Sequence, residues 1–126
     1  MTVLPAFVMG PPLRKEDFSS GDWLKSVMLG TMKTILTRHT VAVDVRDVGD
    51  AHLAAIKVPA AANRRFAITQ GSPSFQEFAQ PVVDKYGPLG WPVSTNKQAA
   101  DPNEVIEIVD NSASREVLGV QYHNFT

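Results

Sequence analysis

The opening run of residues 2–8, TVLPAFV, leaves the chain few architectures. It is apolar after Thr2, carries no charge and stops at Met9-Gly10-Pro11-Pro12, a strong breaker. A continuous apolar run of this length reads as a strand covered on both faces, as in a parallel sheet, with Pro5 a local irregularity. Such a strand requires helices or another domain against both of its faces. Membrane insertion is excluded, because no apolar run approaches the roughly 20 residues of a span. A secretory signal is also a poor reading. No basic residue precedes the run, and Pro5, Gly10, Pro11 and Pro12 interrupt it.

The remaining sequence supplies the helices. A charged stretch from Arg14 to Asp17 reads as a loop, and Ser19-Ser20 as a helix N-cap. Beyond it, Trp23, Leu24, Val27, Met28, Met32, Ile35 and Leu36 recur at spacings of three and four. They predict an amphipathic helix of about four turns, weakened by Gly30. Residues 40–45 (TVAVDV) read as a β-branched strand. Asp47 is the expected N-cap of the next helix, whose Val48, Ala51, His52, Ala55 and Ile56 share a face, with Pro59 as its stop.

Residues 65–69 (RFAIT) predict another strand. Ser74-Phe75-Gln76-Glu77 is a capping-box sequence, and Phe75, Phe78, Ala79, Val82 and Val83 line the helix it opens. Pro81 should kink or shorten that helix, and Gly87 ends it. The proline-bearing residues 88–103 read as an exposed loop. Residues 104–109 (EVIEIV) alternate as an edge strand would, and Asp110-Asn111-Ser112 cap a last helix to Leu118, closed by Gly119. The order βαβαβαβα specifies an α/β fold with short strands alternating with amphipathic helices.

Composition narrows the function. The chain has 126 residues, the length of a single domain. Its 12 basic and 13 acidic residues give a net charge of −1, which argues against a nucleic-acid binder. There is no cysteine, so disulfides, thiol catalysis and Cys-built metal sites are excluded. Cytoplasmic residence is the expectation that follows.

Three motifs then resemble one family. They are Pro5-Ala6-Phe7-Val8-Met9-Gly10-Pro11-Pro12, the run Val43-Asp44-Val45-Arg46-Asp47-Val48 through Ala51-His52, and Val109-Asp110-Asn111-Ser112 through Val117-Leu118-Gly119-Val120. Together they resemble the extended short-chain dehydrogenase/reductases of the dihydroflavonol reductase, cinnamoyl-CoA reductase and fungal aldehyde–ketone reductase type. The resemblance covers the C-terminal, substrate-binding part of that Rossmann-like fold. It implies that residues 1–126 form a single truncated domain without the dinucleotide-binding part. Met1 would fall where the strand after the family's catalytic helix begins.

The family's cofactor loop is G-x-x-G-x-x-G, and no three glycines here have that spacing. Its catalytic pair is Tyr-x-x-x-Lys, but Tyr86 is followed four places on by Gly90, and Tyr122 by Thr126. No residue is therefore assigned a catalytic role. Whether the chain is itself an enzyme stays open.

The resemblance implies further roles. The backbone around Pro5, Phe7 and Val8 would meet the nicotinamide of NADP or NAD, and Ser20 would hydrogen-bond the cofactor. Phe7, Met9 and Trp23 would face a small carbonyl substrate: an aldehyde, a ketone or a flavonoid-like molecule. Each role has a structural counterpart. Phe7 and Val8 also suit strand core, Ser20 a plain helix cap and Trp23 helix core. Trp91, in a Gly/Pro loop, reads equally as a lid contact or as surface. Asp44, Asp47, Asp50 and His52 lack a second nearby histidine, so no metal is expected. The expected roles there are structural: Asp47 caps, Arg46 pairs with a carboxylate and His52 packs. His39 and His123 carry no sequence signal.

Without its cradle, the chain alone is expected to bind no cofactor and to be inactive. The competing reading is a non-enzymatic interaction module. It would self-associate or bind a protein through an apolar strand face at Val3, Leu4, Phe7 and Val8.

Overall fold

The computed structural model describes residues 1–15 and 19–125. The expected charged loop lies outside the described residues at Glu16 and Asp17. The chain folds as two compact units. The first comprises Met1–Pro11, Val41–Ser72 and Glu107–Phe125, and the second comprises Pro12–Thr40 and Pro73–Ile106. The α/β class expected from the sequence is what is observed.

In the first unit the opening run is two short strands, β1 (Thr2–Pro5) and β2 (Phe7–Met9). Strand β1 pairs in parallel with β4 (Arg65–Ile68), Thr2 opposite Arg65 and Pro5 opposite Ile68. Strand β2 pairs in parallel with β3 (Ala42–Asp44), Phe7 opposite Ala42 and Met9 opposite Asp44. The handover is explicit in the hydrogen bonds. The Ala6 N–H donates to Ile68 O at 3.1 Å, and the Phe7 N–H to Val41 O at 3.0 Å. Pro5 has no N–H to offer a ladder, so the change of partner occurs where a proline is tolerated.

Val3, Ala6 and Val8 pack on a core of Val43, Ala51, Ala55, Ala61, Phe66, Ile68, Leu118 and Val120. The run is not covered on both faces, since Leu4 stays 42% exposed.

Helix α2 (Val45–Lys57) leaves β3 without a loop, and its N-cap is Asp44, not Asp47. The Asp44 carboxylate accepts the Arg46 N–H at 2.8 Å. The helix therefore begins earlier than the apolar spacing suggested, and the buried face is the expected one turned slightly: Val48, Ala51 and Ala55 stay on the core, while His52 and Ile56 leave it and Asp47 joins it. Asp47, Ala51 and Ala55 point inward, whereas Ile56 is 76% exposed. His52 is on the surface as well, its ring bonded to Val48 O at 2.7 Å. The last helix, α4 (Ser112–Glu116), is short, with Asp110 accepting the Ser112 N–H at 2.8 Å. Gly119 turns the chain at φ +70°. The strand expected at 104–109 does not form; that segment has no ladder partner, and alternation alone cannot create one.

The second unit is built on α1 (Ser19–Met28) and α3 (Phe75–Tyr86). Helix α1 stops well before Leu36. The Thr31 N–H donates to Ser26 O at 3.0 Å and the Gly30 N–H to Val27 O at 3.3 Å, with Gly30 at φ +66°. That is a Schellman ending with Gly30 as its left-handed residue. The glycine is a terminator, not a weak point inside a longer helix. A Cβ there would sit 2.0 Å from Pro92 O, so no larger residue fits.

Helix α3 starts on the expected capping box: Ser74 Oγ accepts the Glu77 N–H at 3.2 Å, and Glu77 Oε2 accepts the Ser74 N–H at 2.6 Å. It runs past Pro81 to Tyr86. Val27, Ile35 and Ala79 form the buried centre, with Trp23, Met32, Phe75 and Val82 packed on it.

Candidate functional site

Parallel strands place ligand sites beyond their carboxyl ends, where the chain changes partner. In the first unit that place is the stretch from Pro5 to Gly10. Pro5 is exposed at the end of β1. Side chains alternate along an extended chain, and Val8 points into the core against Val43. Phe7 and Met9 therefore face the other way, and both are half-buried. Gly10 follows at φ +143°, where a Cβ would lie 2.4 Å from Val45 Cγ1. The strand is thus able to end tightly against the start of α2 only because residue 10 is glycine.

The other two expected residues stand in the second unit. Ser20 is not an N-cap; it is the second residue of α1 and is buried. Trp23 packs its ring on Phe75 at 5.2 Å and on Phe78 at 6.4 Å, which makes it an aromatic core residue of that unit. Trp91 is 45% exposed and meets Tyr86 edge-on at 5.6 Å.

The family-like motifs prove to be joints. Asp44 caps α2 and also takes the Arg46 guanidinium in two bonds, 2.9 and 2.7 Å. The Arg46 side chain holds the Asp44 carboxyl below its usual range. Asp47 is fully buried and accepts from His123, from the backbone N–H at 3.0 Å and at Nδ1 at 2.5 Å. This pair fastens the segment after Gly119 to α2. His123, which carried no signal in the sequence, is thus its partner across 76 positions.

Asn111 Nδ2 donates to Thr69 O at 2.6 Å, and Arg115 Nε donates to Asn111 Oδ1 at 3.2 Å. Tyr122 Oη meets Ser114 Oγ at 2.7 Å under the Arg115 guanidinium, 4.7 Å from the ring centre. Burial raises the Tyr122 hydroxyl pKa, with Ser114 opposing. That direction is the opposite of what a tyrosine general acid–base requires near neutrality. Among the described residues, no group of three His, Asp or Glu is placed to hold a metal ion, and no helix is long and apolar enough to cross a membrane.

No protein-family model matches the chain. Two curated proteins do. One is an uncharacterized oxidoreductase of Saccharomyces cerevisiae, YDR541C, 30% identical over 98% of this chain and 38% of its own length. The other is the ketoreductase azaE of Aspergillus niger, 30% identical over 98% of this chain and 39% of its own length. Among solved structures, Gre2 from Candida albicans superposes with a TM-score of 0.77 at 28% identity, over 98% of this chain and 39% of Gre2. The chain is thus similar to fungal oxidoreductases and ketoreductases. It spans about two-fifths of the length of these reductases. Gre2 is also solved in complex with NADPH, and that structure superposes with a TM-score of 0.71 at 26% identity over 98% of this chain and 39% of that one.

Proposed function

We propose that this chain is the substrate-binding portion of an NAD(P)-dependent carbonyl reductase that reduces aldehydes, ketones or flavonoid-like substrates in the cytoplasm. The observation that carries the reading is the match to a ketoreductase over 98% of this chain. The local geometry supports it. Phe7 and Met9 project from the core at the carboxyl end of a parallel strand, which suits an apolar substrate wall.

The fit to a dinucleotide is partial. The Ala6 and Phe7 N–H groups already donate to Ile68 and Val41, and Pro5 has none. Recognition of a nicotinamide along this stretch therefore falls to the remaining backbone groups and to ring contact with Phe7. The pyrophosphate has no G-x-x-G-x-x-G cradle in the 126 residues, and the proton has no Tyr-x-x-x-Lys donor. In this reading the chain supplies the substrate wall and does not itself move the hydride or the proton.

Two measurements test this. An aromatic ketone titrated into labelled protein should shift the Phe7 and Met9 resonances and leave those of α3 unchanged; no shift at either residue overturns the substrate wall. NADPH consumption with an aldehyde and ketone panel should stay at background for the chain alone; clear turnover overturns the assignment of chemistry elsewhere.

A second reading rests on the exposed Leu4 (42%), Leu53 (52%) and Ile56 (76%) of the first unit. These apolar side chains suit self-association in a non-enzymatic module. A concentration-dependent dimer in sedimentation, abolished by Leu4→Asp, would favour it.

A further inference from the structure

In the second unit, residues 93–104 lie along residues 27–39, held by hydrogen bonds rather than by apolar burial. The Ser94 N–H donates to Val27 O and Ser94 Oγ to Met32 O, both at 2.8 Å. The Ile35 N–H donates to Asn96 O at 2.8 Å, and the Gln98 N–H returns to Ile35 O at 2.9 Å. Asn96 Nδ2 donates to Lys33 O at 3.1 Å. The far end is clasped by Glu104, which accepts the His39 N–H at 2.6 Å and meets His39 Nδ1 at 3.0 Å.

Only Ser94 of this segment is buried; residues 95–103 are exposed. A segment bonded in this way contributes little hydrophobic stability of its own. Yet it covers Ile35 and Val27, which are fully buried. The near end leaves Gly90 at φ +83°, with nothing within 4 Å of the site of a Cβ. A left-handed glycine there is the residue at which the backbone turns most readily.

We propose that residues 93–104 are a strap that opens as one piece, hinged near Gly90 and released at the Glu104–His39 clasp, to uncover the apolar cluster around Ile35. The clasp is charge-assisted through the carboxylate: the His39 backbone N–H donates to it, and so does Nδ1–H in the Nδ1–H neutral tautomer or in the imidazolium. Arg38 and Glu77 are the other charged groups that bear on the pair, one on each partner. Removing the carboxylate leaves the His39 N–H without its acceptor and frees the far end of the strap. Opening then costs less, while α1 and α3 keep their own bonds.

Amide hydrogen exchange on the whole chain tests this. In Glu104→Ala the amides of Ile35, His39, Ser94 and Gln98 should exchange faster together, by about tenfold or more. Those of Ala79 and Val82 in α3 should be unchanged. Glu104→Gln, which keeps an acceptor for the His39 N–H, should fall between the wild type and Glu104→Ala. Acceleration confined to His39, or spread equally over α3, overturns the strap. So does unchanged protection in a variant whose urea midpoint shows that it has folded.

Discussion

The two units hold themselves together by different means. The first buries a carboxylate: Asp47 sits fully enclosed and answers His123 from across the chain. Around it, Asn111, Arg115, Thr69 and Gln70 tie α4 to the end of β4 with side-chain bonds. The second buries no charged side chain among its described residues. Its centre is apolar and aromatic, and its periphery is a zipped backbone on the surface. A buried charge that loses its partner is costly, whereas an exposed hydrogen bond has water as a substitute. The first unit should therefore fail as a whole, and the second piece by piece.

The sharpest way to break this contrast is at Asp47. Asp47→Ala removes both bonds to His123 and leaves a void, and should destabilise the first unit by about 3 kcal/mol in urea unfolding. His123→Ala should cost less, because the backbone N–H of residue 123 still reaches the carboxylate. A loss equal to that of an exposed polar residue would erase the distinction.

In the second unit the largest effect belongs to Gly30→Ala. It combines a left-handed backbone with a Cβ only 2.0 Å from Pro92 O, and should cost about 2 kcal/mol by thermal melting. Ser74→Ala opens the capping box and should cost about 1 kcal/mol, seen as faster exchange at the first turn of α3.

Acid gives the smallest and most graded effect. The Ser74 N–H holds Glu77, and the His39 N–H holds Glu104, below the usual 4.5. The Arg46 side chain and the Ser112 N–H hold Asp44 and Asp110 below 3.8. A depressed pKa in the folded state means stability that is complete above the unfolded value and lost as pH falls through the folded one. The second unit should therefore begin to loosen below about pH 4.5, and these joints of the first below about 3.8. Residue-resolved exchange against pH would show the order, and the reverse order would contradict it.

What the sequence disclosed follows the range of the forces. The Ser74–Glu77 box is legible because both partners lie within one turn. The α/β class is legible because short apolar runs alternate with helical spacing. Asp47 is the expected cap of α2, but the helix starts directly on β3 and Asp44 caps it, while Asp47 is taken up by His123, to which nothing near residue 47 points.

Gly30 misleads for a related reason. Met32, Ile35 and Leu36 continue the helical spacing past the helix end, but Ile35 reaches the core from an extended segment bridged to Lys97, packing there with Val27 and Ala79. Residues 104–109 show the converse: the alternation is there, and the neighbour strand is not. Of the expected site residues, Phe7 and Met9 lie on the side of β2 away from Val8, the side chains of Val8 and Trp23 pack on the cores of their units, and Ser20 lies in the first turn of α1.

The partner change between Pro5 and Phe7 also bears on how the chain is made. Thr2 pairs with Arg65 and Phe7 with Ala42, so both halves of this run wait for residues that emerge later. Parallel pairings of this span close slowly, because a long loop must be ordered before any contact rewards it. During translation the apolar stretch leaves the ribosome without either partner. In that interval the run's apolar side chains and unpaired strand edges are open to aggregation and to chaperones.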